Sequence, residues 1–182
     1  WYFDYKIDNL PEGLLSLEFD TCKTFFNQPI DKLPKTLQNL ELSSSFNQNV
    51  DKLPNGIKCL KFGTAFNQSV DKLPDELQNL TFGINFNQPI DNLPNGLKYL
   101  EINSSYAQEI NNLPDSIEFL SINGNYNKEI NKYPNSLKFL VFNTGYRKCI
   151  KNLPETLEIL ALGFMAIKDR YIENWDNKII PE

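Results

Sequence analysis

The amino-acid sequence predicts a β-rich repeat solenoid, a thin right-handed coil of about eight 20-residue repeats. A parallel sheet is expected on its concave side and an extended or 3₁₀ path on its convex side. Three observations carry this expectation. One phrase recurs along the chain, most plainly as Phe26-Asn27-Gln28-Pro29-Ile30-Asp31-Lys32-Leu33-Pro34 and Phe86-Asn87-Gln88-Pro89-Ile90-Asp91-Asn92-Leu93-Pro94. Between copies lies an apolar pattern of the type Leu37-x-x-Leu40-x-Leu42. Proline closes every copy, from Pro11 to Pro154.

Each strand is set by the apolar pattern. Its three columns run from Leu14, Leu17 and Phe19 in the first copy to Leu157, Leu160 and Leu162 in the last. The spacing L-x-x-L-x-L is that of a leucine-rich repeat. Its L-x-L portion alternates with period two, which turns both apolar residues inward and their neighbours outward along a short strand. Stacked strands ~4.8 Å apart would extend eight coils over about 38 Å.

The return path takes what remains. An aromatic column (Phe26, Phe46, Phe66, Phe86, Tyr106, Tyr126, Tyr146), an Ile/Val column ending at Ile150 and a Leu column broken by Tyr133 supply its inward groups. Twenty residues that also contain a strand, two corners and a proline leave no room for the ~8 residues of a short helix. At one corner stand Asn27, Asn47, Asn67, Asn87 and Asn127. They are expected to form a structural ladder of buried amides, each satisfying the backbone of its own coil and touching the next. Asp8, Asp31, Asp51, Asp71 and Asp91 stack on the convex side, and turn capping is the expected role. Metal binding is disfavoured there because one carboxylate per coil is offered and no second ligand type stands beside it.

The solenoid is expected over residues 1–162 and a C-terminal cap over 163–182. Within the cap, Ile167, Tyr171, Ile172 and Trp175 fall on a helical stripe separated by charged residues. A solenoid must cover its open ends, and Trp1, Tyr2 and Phe3 are suited to do so at the other end. A start at Trp1 rather than Met is the expectation for a fragment of a longer protein, and these residues leave open whether another domain precedes them. Residues 1–4 show neither the basic start nor the apolar run of a signal peptide.

The F-N-x-x-I-x-x-L-P core followed by L-x-x-L-x-F resembles the FNIP repeat, a leucine-rich-repeat variant of amoebae and of the giant viruses that infect them. The resemblance covers Phe3 to Leu162, is fullest from Phe26 to Phe86, and drifts at Tyr106-Ala107 and Tyr146-Arg147. Members of that family often carry an F-box ahead of the repeats. The resemblance therefore implies a substrate-recognition arm of a ubiquitin ligase adaptor, in the host cytoplasm for a viral protein. A structural or self-assembling protein, such as a virion or fibre component, is the alternative.

Composition narrows the function further. A net charge of -5 and a pI near 4.9 argue against nucleic acid as a partner, since phosphate binding draws on clustered Lys and Arg. No stretch approaches the ~20 apolar residues of a membrane span. Cys22, Cys59 and Cys149 are too few and too scattered for a disulfide framework, which fits a reducing, cytoplasmic setting. The chain has no histidine, which removes Ser-His-Asp and Cys-His catalysis and every His-containing zinc site. No phosphate-binding loop motif occurs. Glu18 and Glu41 on adjacent strands could pair as in a glycosidase, but nothing in the pattern encloses them. No catalytic residue, metal site or cofactor is expected.

Binding residues are therefore sought on the outward columns of the sheet. One column is Ser16, Asn39, Cys59, Asn79, Tyr99, Phe119, Phe139 and Ile159. The next is Glu18, Glu41, Lys61, Thr81, Glu101, Ser121, Val141 and Ala161. The first half is polar, whereas Tyr99, Phe119, Phe139, Ile159 and Val141 gather into one apolar strip flanked by Glu101. Such a strip is large enough to mark a protein-docking site. Coverage by the C-terminal segment and self-association are the competing uses of the same surface.

Overall fold

A computed structural model of the chain describes residues 3–20, 25–103, 106–142 and 146–163. Its strands are β1 (Ser16–Glu18), β2 (Asn39–Glu41), β3 (Cys59–Lys61), β4 (Asn79–Phe82), β5 (Tyr99–Ile102), β6 (Phe119–Ile122), β7 (Phe139–Phe142) and β8 (Ile159–Leu162). They form one eight-stranded sheet in chain order, every pair parallel. Pairing is in register with the repeat, so Leu17, Leu40, Leu60, Leu80, Leu100, Leu120, Leu140 and Leu160 form one continuous row. The chain is thus a leucine-rich-repeat solenoid, and no helix occurs among the described residues. The expected C-terminal cap, apart from Gly163, lies outside the described residues, as do Trp1, Tyr2 and Cys22.

Proline has a specific place in each coil. The carbonyl of every closing proline accepts the N–H three residues on, from Leu14 N–Pro11 O at 3.0 Å to Leu157 N–Pro154 O at 3.0 Å. That contact closes a β-turn that aims the chain into the next strand. The convex path is extended and punctuated by turns, without a 3₁₀ segment among the described residues.

The core is a set of columns rather than a single knot. Phe26, Phe46, Phe66 and Phe86 are fully buried and stack at 6.1–6.2 Å, and Tyr106, Tyr126 and Tyr146 continue the pile at 6.1–6.3 Å. Phe62 and Phe82, nearer the sheet, stand 5.7 Å apart. Parallel strands lie ~4.8 Å apart. On the outer side of the sheet, the Tyr99 and Phe119 rings are only 4.5 Å apart. Within the core, the widening from ~4.8 Å between strands to 5.7 Å near the sheet and 6.1–6.3 Å further in means that the coils fan out, with the sheet on the inside of the curve.

Two glycines permit the closest approach between coils. A Cβ on Gly63 would lie 2.1 Å from the Ser43 carbonyl oxygen, and one on Gly83 would lie 2.0 Å from that of Gly63. No side chain fits there. Beside them Ser43 is buried, and its hydroxyl donates to the Phe26 carbonyl at 2.7 Å.

The asparagine corner differs from its expected form in two ways. Asn27, Asn47 and Asn67 are half-buried, while Asn87 and Asn127 are exposed. The amides of Asn27, Asn47, Asn67 and Asn87 also serve the following coil rather than their own. Asn27 Oδ1 accepts from Asn47 N at 2.8 Å, Asn47 Oδ1 from Asn67 N at 2.9 Å, and Asn67 Oδ1 from Asn87 N at 2.9 Å. Gln48, Gln68 and Gln88 each donate to the same oxygen of the preceding coil. The translation between coils sets the next N–H over the amide oxygen. Asp4 starts this ladder by accepting from Asn27 N at 2.8 Å. Ala107 N donates to Asn87 Oδ1 but its side chain has no acceptor to offer Asn127.

The aspartate row also bridges coils instead of capping its own turns alone. Lys32 pairs with Asp8, Lys52 with Asp31 and Lys72 with Asp51 at 2.8–3.0 Å. Asn92 and Asn112 then donate to Asp71 and Asp91 at 3.0 and 2.9 Å. Hydrogen bonding to Lys72 holds the Asp51 carboxyl below its usual range, and bonding to Asp31 raises Lys52. These pairs are solvent-exposed and individually weak. Their effect is to neutralise a column of like charges along the coil edge.

Candidate functional site

Alternation along the strands turns Tyr99, Phe119, Phe139 and Ile159 to the concave side, and pairing of β5 to β8 places them on neighbouring strands. All four are half-buried. Tyr99 and Phe119 stack at 4.5 Å with their rings 7° from parallel, and Phe139 follows at 6.2 Å with a 33° tilt. The structure thus brings together four of the residues expected to form a docking strip.

Val141 does not join them at the surface. It points to the same side but is 2% exposed, and its row neighbours Ser121 and Ala161 are 2% and 4% exposed. These short side chains are recessed beside the taller ring column. Val141 is therefore corrected from an accessible contact to part of the floor.

Glu101 is held in place by two donors. Its Oε2 accepts from the Tyr99 hydroxyl at 2.9 Å, and its Oε1 from Asn123 Nδ2 at 3.1 Å. Asn123 also bonds to Asn103 Oδ1. Burial, the bond to Glu101 and the charge of Glu101 all push the Tyr99 hydroxyl above the ordinary tyrosine range. The phenol therefore remains a donor throughout the physiological pH range. Among the described residues, no Lys or Arg pairs with Glu101. In the same row Glu41 is paired with Lys61 at 2.7 Å.

The polar half of the concave face is a shallow groove of about 440 Å³, floored by Asn39, Cys59 and Asn79 and walled at one end by Tyr99. Asn79 Nδ2 donates to the free thiol of Cys59 at 3.2 Å. Glu18 and Glu41 lie on neighbouring strands in this open trough, one exposed and the other paired with Lys61. No group of three or more His, Cys, Asp or Glu converges on a common point among the described residues.

Some exposed apolar residues lie away from the strip. Ile84 is 62% exposed at a corner where Ser44 and Thr64 occupy the two preceding copies. Its departure from that polar column was the available signal. Tyr5 (73%), Leu15 (54%), Phe25 (50%) and Phe3 (40%) are exposed on the first coil. Phe3 shares its column with the buried Phe26 and Phe46, so periodicity alone does not set it apart, whereas Tyr5, Leu15 and Phe25 stand where later copies carry Gln28, Gln38 and Ser45, and that departure was the available signal.

The FNIP Repeat family model matches residues 26–64, 49–83, 66–105 and 86–125, which together span more than half of the chain. The chain belongs to the FNIP repeat family. Among solved structures, the FNIP chain is similar to CroV588, whose crystal structure is described as a novel circular LRR protein. The TM-score is 0.75 at 36% identity, over 85% of this chain and 24% of CroV588. The chain thus spans about a quarter of that protein's length. No curated protein matches it. FNIP repeats on a leucine-rich-repeat fold point to a protein-interaction scaffold, a class that is typically non-enzymatic. No described helix is long and apolar enough to cross a membrane.

Proposed function

We propose that the chain is a protein-binding module whose concave strip, Tyr99, Phe119, Phe139 and Ile159 beside Glu101, selects a substrate for an attached ubiquitin ligase adaptor. The observation carrying this reading is the row of half-buried side chains on the concave face, with three stacked or tilted rings and a carboxylate fixed alongside. Large ring side chains concentrate binding energy at interfaces. The remaining columns are occupied by the core and the inter-coil ladders, which leaves this face as the surface with its own side-chain pattern. The reading assigns the chain recognition and not chemistry, in a cytoplasmic setting.

Replacing both Phe119 and Phe139 with Ser tests it. The melting temperature should stay near wild type, because neither ring belongs to the inward columns. Capture of a ubiquitinated host protein should fall at least ~10-fold, which requires ~1.4 kcal/mol. Normal capture by the folded variant would remove the strip from consideration. Asn39 and Thr81 to Ala, on the polar half of the same face, form the matched control.

Self-assembly is the second reading, favoured by the cluster of exposed apolar residues on the first coil, Phe3, Tyr5, Leu15 and Phe25. Sedimentation separates the two. An adaptor arm is monomeric without its partner, and an assembler associates as its concentration rises.

A further inference from the structure

Resting on the concave docking site proposed above, we infer that this site takes an extended, arginine-bearing peptide, with a guanidinium seated against Tyr99 and paired with Glu101. The first argument is geometric. One face of the Tyr99 ring is covered by Phe119, while its partner across β4 is the short, exposed Asn79, whose amide is turned to Cys59. The other face of the ring therefore stands over a step and forms the end wall of the groove. A flat cation fits a flat wall with open space before it.

The second argument is electrostatic. Glu101 is preorganised by Tyr99 and Asn123 without being neutralised, and each of its oxygens retains an acceptor site. Glu18, at the far end of the groove, accepts from Ser16 Oγ and has no Lys or Arg partner among the described residues. Glu41 is already matched by Lys61. The rim column carries Lys58 and Lys98 beside the groove and then Glu118, Lys138 and Glu158, with Lys138 and Glu118 paired at 2.7 Å. Glu18 and Glu101 are thus the carboxylates of this face without a Lys or Arg partner among the described residues, and a partner's cation is complementary to them.

Arginine fits better than lysine. Its planar group stacks on a ring and forms a fork toward a carboxylate together, whereas an ammonium is a strongly hydrated point charge. Glu18 and Glu101 are four strand spacings apart, ~19 Å. An extended peptide rises ~3.3 Å per residue, so two basic side chains reaching both carboxylates are about six residues apart. Apolar residues beyond the guanidinium then fall on Phe119, Phe139 and Ile159.

The test uses the full chain and a fluorescein-labelled peptide with two arginines about six residues apart, followed by Phe-Leu. Companion peptides replace the arginines by lysine or by citrulline, which keeps the shape of arginine and loses its charge. Fluorescence anisotropy should show binding of the arginine peptide, several-fold weaker binding of the lysine form, and a loss of at least ~10-fold with citrulline. Glu101→Gln should reduce arginine-peptide binding by a similar factor and abolish the preference over citrulline. Equal binding of the arginine and citrulline peptides, lost in the Phe119/Phe139 double Ser variant, overturns the arginine inference while leaving the strip as a docking site. Binding of both peptides untouched by the double Ser variant overturns the strip as well. Failure of the wild type to bind, with binding gained on Arg170→Ser, overturns the inference in favour of the chain's own C-terminal segment as occupant. Failure of both proteins to bind any of the peptides also overturns it.

Discussion

A single amide oxygen in this solenoid holds two donors of the next coil. Asn67 Oδ1 accepts from Asn87 N at 2.9 Å and from Gln88 Nε2 at 3.1 Å. Asn67→Ala removes both bonds, but the abandoned N–H belongs to an exposed residue and regains water. The expected loss in denaturant unfolding is therefore about 1 kcal/mol, the lower part of the range for a lost acceptor. Asn67→Asp should recover most of it, because Asp4 already fills this role for Asn27. A loss as large in the Asp variant as in the Ala variant would show that the oxygen is not the important atom. Steric contacts at this scale are less forgiving. Gly83→Ala sets a methyl against a backbone carbonyl and should cost about 3 kcal/mol or more, whereas Gly13→Ala meets nothing within 4 Å and should be neutral or slightly stabilising. Similar melting temperatures for the two variants would contradict the close approach of the coils.

The aromatic column behaves as an element in its own right. Its first half is phenylalanine, and its second half carries hydroxyls that the core must accommodate. Tyr106 donates to the Gln88 carbonyl at 2.9 Å and Tyr146 to that of Lys128 at 3.2 Å. The Tyr126 hydroxyl is buried with no partner among the described residues, and so is that of Tyr133. Burial is the leading cause that raises all four hydroxyls above the ordinary tyrosine value of 10.0. The folded state thus keeps protons that the unfolded chain releases near that value. Stability from this source is full below pH 10 and falls as the pH rises beyond it. Tyr126→Phe should gain about 1 kcal/mol near neutrality by removing a buried unpaired hydroxyl, and the gain should widen toward about pH 11. Urea unfolding at both pH values measures this, and a constant difference would show that Tyr126 ionises equally in the two states.

Coupling between neighbouring coils governs the whole molecule. Each strand contacts only its sequence neighbours, so damage in the middle should split the stack and damage at an end should fray it. Leu80 in β4 is fully buried, and Leu80→Ala should cost ~2–5 kcal/mol and broaden the transition. Leu17 in β1 is only partly buried, so Leu17→Ala should cost less and leave the main transition cooperative. Hydrogen exchange resolved along the chain distinguishes the two. Equal effects would contradict nearest-neighbour stability. Curvature belongs to this scale too. Ring spacing grows from 5.7 Å near the sheet to 6.1–6.3 Å in the far core, while on the outer face Tyr99 and Phe119 stack at 4.5 Å and Phe119 and Phe139 stand 6.2 Å apart.

What the sequence by itself determined was the content of one coil. The period placed Leu40 and Leu42 inward, Asn39 and Glu41 outward and Pro34 before the turn, because period-two alternation and proline geometry are local properties of the chain. Repetition then extended that coil to a parallel sheet, and the same logic put Tyr99, Phe119, Phe139 and Ile159 on one face. Only the tertiary structure decided what passes between coils. It set the Asn67 amide against the next coil, recessed Val141, fanned the core outward, and joined Glu101 to Asn123 from the neighbouring strand. Those contacts depend on the offset and tilt of one coil against the next. Offset and tilt follow from the packing of ring columns and from the carbonyl contacts at Gly63 and Gly83, which a pattern of residue types does not encode.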